Sequence, residues 1–387
     1  MNDIGVLHVL DSLALGGAER AAVNLVNALP RENYRPFLCT TREEGPLHDV
    51  VTADVGRLEL KRNSRFDSRA IRSLVEFIRK QKIMIVHAHG SSLFIATLAA
   101  AFPPHPAVVW HAHYGRLAHE DRRAWAHRLA TRRVRAVITV NHQLAEWCER
   151  RLSVPKDRIW CIPNMACASG KNPEISDLPG TRGSRIVCVA NLRAEKDHLN
   201  LVRAMALVVQ KFPSAHLLLA GAHSDPAYSA SSSYFEAVKL EIARNSLGQN
   251  ISILGQRHDI AALLHGCDIG VLSSKTEGLP LSLLEYGMAG LPVVATQVGE
   301  CEEVLDHGHA GLLVPPQSPR DLAEALFSLL GSRDRRVLLG ERFLHRVHKL
   351  YSAKAVVERV CLVYKHLLAS NGTEAACREP AQDVVRA

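Results

Sequence analysis

This 387-residue chain is poor in aromatic residues, which make up 5% of it, and every apolar run falls short of the ~20 residues needed to cross a bilayer. The Met-Asn-Asp start lacks a basic stretch followed by an apolar core, so no segment is expected to carry the chain across a membrane. Its cysteines, at positions 39, 148, 161, 167, 188, 267, 301, 361 and 377, are odd in number and scattered, without a Cys-x-x-Cys pair. That pattern excludes a disulfide framework and fits a reduced cytoplasmic compartment. Although 20 histidines are present, none falls in an HExxH motif or a His-rich tract, and no metal is expected. Aromatic platforms between the basic residues are nearly absent, which argues against single-stranded nucleic acid as a ligand.

What is present describes a globular α/β protein. Hydrophobic residues make up 47% and charged residues 22%, and the length allows two domains with a core each. Apolar, β-branched runs at 6–10, 37–40, 84–87, 107–110 and 136–140 read as strands, separated mostly by segments of helical period. After a stretch at 167–184 rich in Ser, Gly and Pro, the pattern restarts at 185–189, 215–220, 251–254, 269–272 and 293–295. The alternation predicts two parallel-sheet domains, 1–170 and 171–352, then a helix over 353–369 and a disordered tail over 370–387. The formal charge of +8 is one-sided. Residues 1–170 hold 24 Lys and Arg against 16 Asp and Glu, whereas residues 171–387 hold 23 of each. The clusters Arg57-Lys61-Arg62-Arg65-Arg69-Arg72 and Arg122-Arg123-Arg128-Arg132-Arg133-Arg135 are either solvated faces or a surface for an anionic membrane.

The most informative stretch is Thr276-Glu277-Gly278-Leu279-Pro280-Leu281-Ser282-Leu283-Leu284-Glu285. Proline is favoured at the first helical position, so Pro280 is expected to open a helix ending at Gly290, before the strand at 293–295. The free amides of a helix start attract phosphate, and Gly278 lets a ligand approach the backbone. Glu285 then lies roughly 7 to 8 Å along the axis at about 1.5 Å per residue, while Glu277 stays in the loop. Two glutamates at arbitrary spacing are ordinarily solvated. Here one stands on an apolar helix, where a carboxylate needs a partner, and sugar hydroxyls are natural donors to it.

Together with Leu15-Gly16-Gly17-Ala18-Glu19-Arg20, Val86-His87-Ala88-His89, Ile162-Pro163-Asn164, Lys196, Leu254-Gly255 and the segment 310–316, the glutamates resemble the retaining glycosyltransferases of family four over roughly residues 5–369. The resemblance implies the GT-B fold, two facing Rossmann-like domains, with a C-terminal helix crossing back to the first. It places Gly17, Asn191, Arg193, Lys196, Arg257, Glu277, Gly278, Leu279 and Glu285 on the donor, and Gly16 and His89 on the acceptor side. Lys196, Glu277 and His113 are the expected catalytic residues, with His111 competing with His113 for the place at the reaction centre. Asn191 stands where the family has an arginine of its diphosphate clamp, and Arg193, of the same parity in an extended segment, is the candidate replacement. Glu303 is expected at the acceptor rim. Met165 replaces a usual glycine.

The activity so implied is metal-independent transfer of a sugar, with retention, from a nucleoside-diphosphate sugar to a glycan or lipid-linked acceptor. A cell-surface glycan such as lipopolysaccharide, made at the inner face of the membrane by a cytoplasmic or peripheral enzyme, fits the basic first half. No cofactor is expected beyond the nucleotide sugar. Two alternatives are a nucleotide-sugar 2-epimerase and a nucleotide-sugar-binding protein without catalysis.

Overall fold

The computed structural model describes residues 4–14, 16–64, 67–113, 124–166, 177–222 and 230–369. The expected disordered tail lies outside these residues, as does most of the Ser-, Gly- and Pro-rich stretch 167–184. The chain divides into two compact units, Met1–Met165 with Ala353–Ala387, and Ala166–Ser352.

The first unit is built on seven parallel strands: β1 (Ile4–Ser12), β2 (Tyr34–Glu43), β3 (Gly56–Glu59), β4 (Ile83–His89), β5 (Ala107–Ala112), β6 (Ala136–Thr139) and β7 (Ile159–Cys161). Their order is β3-β2-β1-β4-β5-β6-β7, so the winding reverses beside β1. Ligands of open α/β sheets bind at the strand C-termini near such a reversal. Helix α1 (Gly17–Ala28) follows β1. The helix Ser68–Lys80 is capped by Asp67, which accepts from Ala70 N, and turns Ala70, Leu74 and Ile78 inward while Arg69 and Arg72 stay exposed.

The second unit repeats the plan with β8 (Arg185–Val189), β9 (His216–Ala220), β10 (Ile251–Gly255), β11 (Ile269–Leu272), β12 (Val293–Thr296) and β13 (Leu312–Val314), ordered β10-β9-β8-β11-β12-β13. Alternation along each strand feeds two cores. Ile186 and Cys188, with Leu217 and Leu219, enter one, and Val187, with Leu218 and Ala220, enters the other. Both faces are therefore covered, as parallel sheets require. Helix α2 (Leu281–Met288) packs its Leu283, Leu284 and Tyr286 into the second of these cores. Gly270 on β11 makes room for the Tyr286 ring, whose hydroxyl accepts from Val189 N at 2.7 Å.

Helix α3 (Ala353–Ala369) returns to the first unit. Its Val356, Val357, Val360, Val363 and Tyr364 are buried there. Two sequence expectations need correction. Pro280 is the N-cap, with extended backbone at ψ 118°, and α2 begins one residue later and ends at Met288. The short strands β3, β7 and β13 were not among the strands expected from sequence.

Candidate functional site

The second unit brings together Lys196 and Glu277, which are 81 positions apart in sequence. Lys196 sits at the end of a 3₁₀ turn, Ala194–Lys196, that follows β8, and Glu277 lies in the loop after β11. Lys196 Nζ donates to Glu277 Oε1 at 2.6 Å, and Ser274 Oγ donates to the same oxygen at 2.6 Å. The Glu277 side chain is 8% exposed and that of Lys196 27%, so Glu277 is a held carboxylate rather than a solvated loop residue. Further bonds tie the loops: Ser273 Oγ donates to Lys196 O, Lys275 N to Glu195 O, and Thr296 Oγ1 to Ser274 O.

Gly278, Leu279 and the α2 start lie directly beyond Glu277. Among the described residues no side chain caps α2, so its amide end carries no built-in anion from them. Glu300 N donates to Gly278 O, and Gly299, at φ +54°, runs so close to this loop that a β-carbon would collide with the Glu277 and Gly278 carbonyls. Glu285 is half-buried, on the fifth residue of the helix.

Asn191 is a structural residue, since its Oδ1 accepts from Ala222 N at 3.0 Å. The segment it opens is not extended, because Arg193 N donates to Asn191 O at 2.8 Å and closes a three-residue turn. The parity that would have put Arg193 on the face of Asn191 therefore does not hold. Arg257 Nε donates to Asp259 Oδ1 at 2.8 Å, and a second contact from Nη2 to Oδ2 makes the pair two-pronged. Glu303, expected at the acceptor rim, pairs through Oε1 with Arg346 at 3.0 Å.

In the first unit, Gly16 is the N-cap of α1 and the Glu19 carboxylate folds against it, where a β-carbon would collide. Burial raises the Glu19 carboxyl above its ordinary range. The start of α1, including Gly17, thus has a carboxylate of its own beside it. Asp11, after the apolar run of β1, was also missed in sequence. Its carboxylate accepts from Thr41 and Ser91, each at 2.5 Å, and pairs with buried Arg62 at 3.3 Å. Arg62 is consequently no part of a basic surface. Arg57 likewise spends its guanidinium on the His48 and Val51 carbonyls.

Register aligns a row of imidazoles at the C-terminal ends of the central strands. His8 pairs with His87 across β1 and β4, and His89 with His111 across β4 and β5. His87 and His89 share a face, as do His111 and His113. His89 is an interior link rather than a free acceptor-facing group: Nε2 meets His8 at 3.0 Å and Nδ1 meets His113 at 2.9 Å. Burial lowers His113 to about 4, with the Asn164 side chain acting in the opposite direction. His111 is held well below the usual imidazole range by burial and by its neighbouring histidines.

Residues 15–166 match the family described as Glycosyltransferase Family 4, and residues 183–332 match that described as Glycosyl transferases group 1. The chain belongs to glycosyltransferase family 4. Among relatives of this glycosyltransferase is the UDP-Gal:alpha-D-GlcNAc-diphosphoundecaprenol alpha-1,3-galactosyltransferase of Escherichia coli, 25% identical over 333 residues that cover 80% of this chain and 84% of the relative. Among solved structures, a glycosyltransferase from Rickettsia africae superposes with a TM-score of 0.76 at 19% identity, covering 95% of this chain and 99% of that one. HepE of Anabaena, solved in complex with UDP-glucose, gives 0.76 at 16% identity, covering 95% and 100%. These likenesses establish the GT-B fold for the two Rossmann-like units.

Proposed function

We propose that this glycosyltransferase moves a sugar, with retention and without a metal, from a nucleoside-diphosphate sugar to a lipid-linked glycan acceptor. The observation that carries the donor half is the Lys196–Glu277 pair, set directly before an uncapped helix start. Breaking the sugar–phosphate bond leaves charge on the diphosphate, and preorganised positive potential there helps most. Lys196 and the amides of Gly278 and Leu279 supply it. The Lys196 ammonium rests on Glu277, and a bound diphosphate would compete for it. Glu277 and Glu285 then serve to hold hydroxyls, and the departing phosphate takes the proton of the attacking hydroxyl. Asn191 being committed to Ala222, the diphosphate clamp rests on Lys196.

The acceptor half draws on the E. coli relative, whose name specifies a diphosphoundecaprenol acceptor. Surface chemistry of the first unit is compatible with such a lipid. On the helix Ala124–Thr131, Trp125 is 73% and Leu129 59% exposed, one turn apart, with Arg128, Arg132, Arg133 and Arg135 exposed nearby. Apolar anchors beside arginines fit the interface of an anionic membrane. Among the described residues no helix is long and apolar enough to cross one.

Radiolabelled nucleotide sugars incubated with the protein and a bacterial membrane extract test the reading. Label is expected in the organic-solvent fraction, and Glu285→Ala is expected to abolish it. Release of an epimerised donor, donor binding without product, or full transfer by the variant would each overturn the proposal.

A further inference from the structure

Four buried imidazoles, the half-buried His113 and one phenol in the first unit form two hydrogen-bonded threads that meet at Tyr364 of α3. One runs from Tyr364 Oη through His8 and His89 to His113, with contacts of 3.4, 3.0 and 2.9 Å. The other runs from Tyr364 Oη through His87 to His111, with contacts of 2.6 and 3.2 Å. The threads lie face to face, His87 on His89 with ring centroids 4.6 Å apart and planes 9° apart, and His111 on His113 at 4.1 Å and 23°.

Within the first thread the rings meet differently. The His8–His89 and His89–His113 centroids are 5.3 and 5.2 Å apart, which exceeds their nitrogen–nitrogen distances by about one ring diameter. The nitrogens therefore point straight at each other, edge to edge. Two histidine triads, His8-His87-His89 and His89-His111-His113, bring ligand atoms within 4.8 Å and invite comparison with a metal centre. An ion between two facing nitrogens would hold them about 4 Å apart, twice a Zn–N bond, and ligands around one ion converge on a point. Nitrogens aimed at each other at 2.9 to 3.0 Å instead share a proton.

A neutral imidazole has one donor and one acceptor nitrogen, so the choice made at one ring dictates the next. Burial keeps the rings neutral: His8 is lowered to about 3 and His113 to about 4, and His87, His89 and His111 lie well below the usual value. Tyr364 has a single hydroxyl proton and donates into one thread while accepting from the other. Following the contacts outward, all five rings must then carry the proton on the same nitrogen, either all on Nδ1 or all on Nε2. Asn164 selects between the two orders. Among the described residues its Oδ1 is buried without a hydrogen-bond partner, as is His113 Nδ1, and the Asn164 side chain lies close enough to act on that ring. A proton on His113 Nδ1 relieves both.

We propose that Tyr364 and Asn164 lock His8, His87, His89, His111 and His113 together in the Nδ1–H form, leaving His111 Nε2 as the open acceptor of the array for a sugar hydroxyl. Among the described residues His111 Nε2 is buried without a hydrogen-bond partner, as the order requires of its last member. Tyr364 is thereby a positioning residue that acts through His87. The role toward a sugar rests on the proposed transferase reading, whereas the shared tautomer does not.

Long-range ¹H–¹⁵N correlation spectra of the full chain labelled in histidine test the proposal, with each ring assigned by single substitution. In the wild type all five are expected as Nδ1–H, and any one found as Nε2–H overturns it. In folded Tyr364→Phe, His87 Nδ1 loses its acceptor, and His87 and His111 are expected to shift to Nε2–H while His8, His89 and His113 stay. An unmoved His111 resonance in that variant overturns the proposal. Asn164→Ala gives an independent arm: loss of the acceptor is expected to shift the array toward Nε2–H, and retention of Nδ1–H in all five rings overturns the assignment of Asn164. Sugar transfer is read separately, so failure of the transferase reading leaves these spectra interpretable.

Discussion

Lys196 is held by a single carboxylate and stays partly exposed, whereas Asn191 is fastened to the backbone of Ala222. On the proposed donor-binding reading, the positive charge expected from two clamp residues falls on Lys196. Lys196→Ala is expected to lower kcat by about 10²- to 10³-fold, comparable with removal of one oxyanion-hole donor, with little change in melting temperature. Steady-state kinetics with the preferred donor check this. An equal loss in Arg193→Ala would show that the turn after Asn191 still delivers a second cation. At this scale sequence reading singled out residues that stand together in a contiguous motif, as in 276–285. It missed Asp11 and Tyr364, whose partners lie 51 and 277 positions away in Arg62 and His87. Nothing local to either residue announces such a partner.

Among elements, the loop before α2 is held from outside by the turn at Gly299. Two constraints coincide there, a left-handed φ of +54° and backbone contact with Glu277 and Gly278. Gly299→Ala must relieve both, and it is expected to destabilise the protein by about 1–3 kcal/mol and to weaken donor binding in parallel. Urea unfolding together with donor titration checks the pair of effects, and unchanged donor affinity would show that the Glu277 loop does not depend on this turn. Long buried strands were legible in sequence because both faces of a parallel sheet are covered, which leaves continuous apolar runs such as 217–220. β3 and β13 are short edge strands, and β3 alternates between half-buried and exposed residues. Pro280 was placed one residue too far into its helix because φ fixed by the ring suits both a cap and a first turn, and only ψ separates them.

For the molecule as a whole, the five neutral imidazoles make stability depend on pH. Their folded-state values are depressed from 6.5, to about 3 for His8 and about 4 for His113. Below pH 6.5 the unfolded chain takes up protons that the native state refuses, so stability present above that pH is lost as it falls toward 4. Each such histidine removes up to about 1.4 kcal/mol per pH unit in this window. The urea midpoint is expected to drop steeply between about pH 6.5 and 4, and a flat midpoint would mean that the native array accepts protons. The architecture was legible at this scale from the restart of the strand pattern after 184, although the structural division falls at Met165 rather than at 170. One further consequence follows from helix α3 belonging to the first unit. During synthesis on the ribosome, the segment 166–352 is contiguous and can close its core as soon as it emerges. The earlier residues must wait for α3, whose Val356, Val357, Val360, Val363 and Tyr364 are buried in their unit. The part of the protein made first is thus the part finished last, and any premature stop before Tyr364 leaves it open.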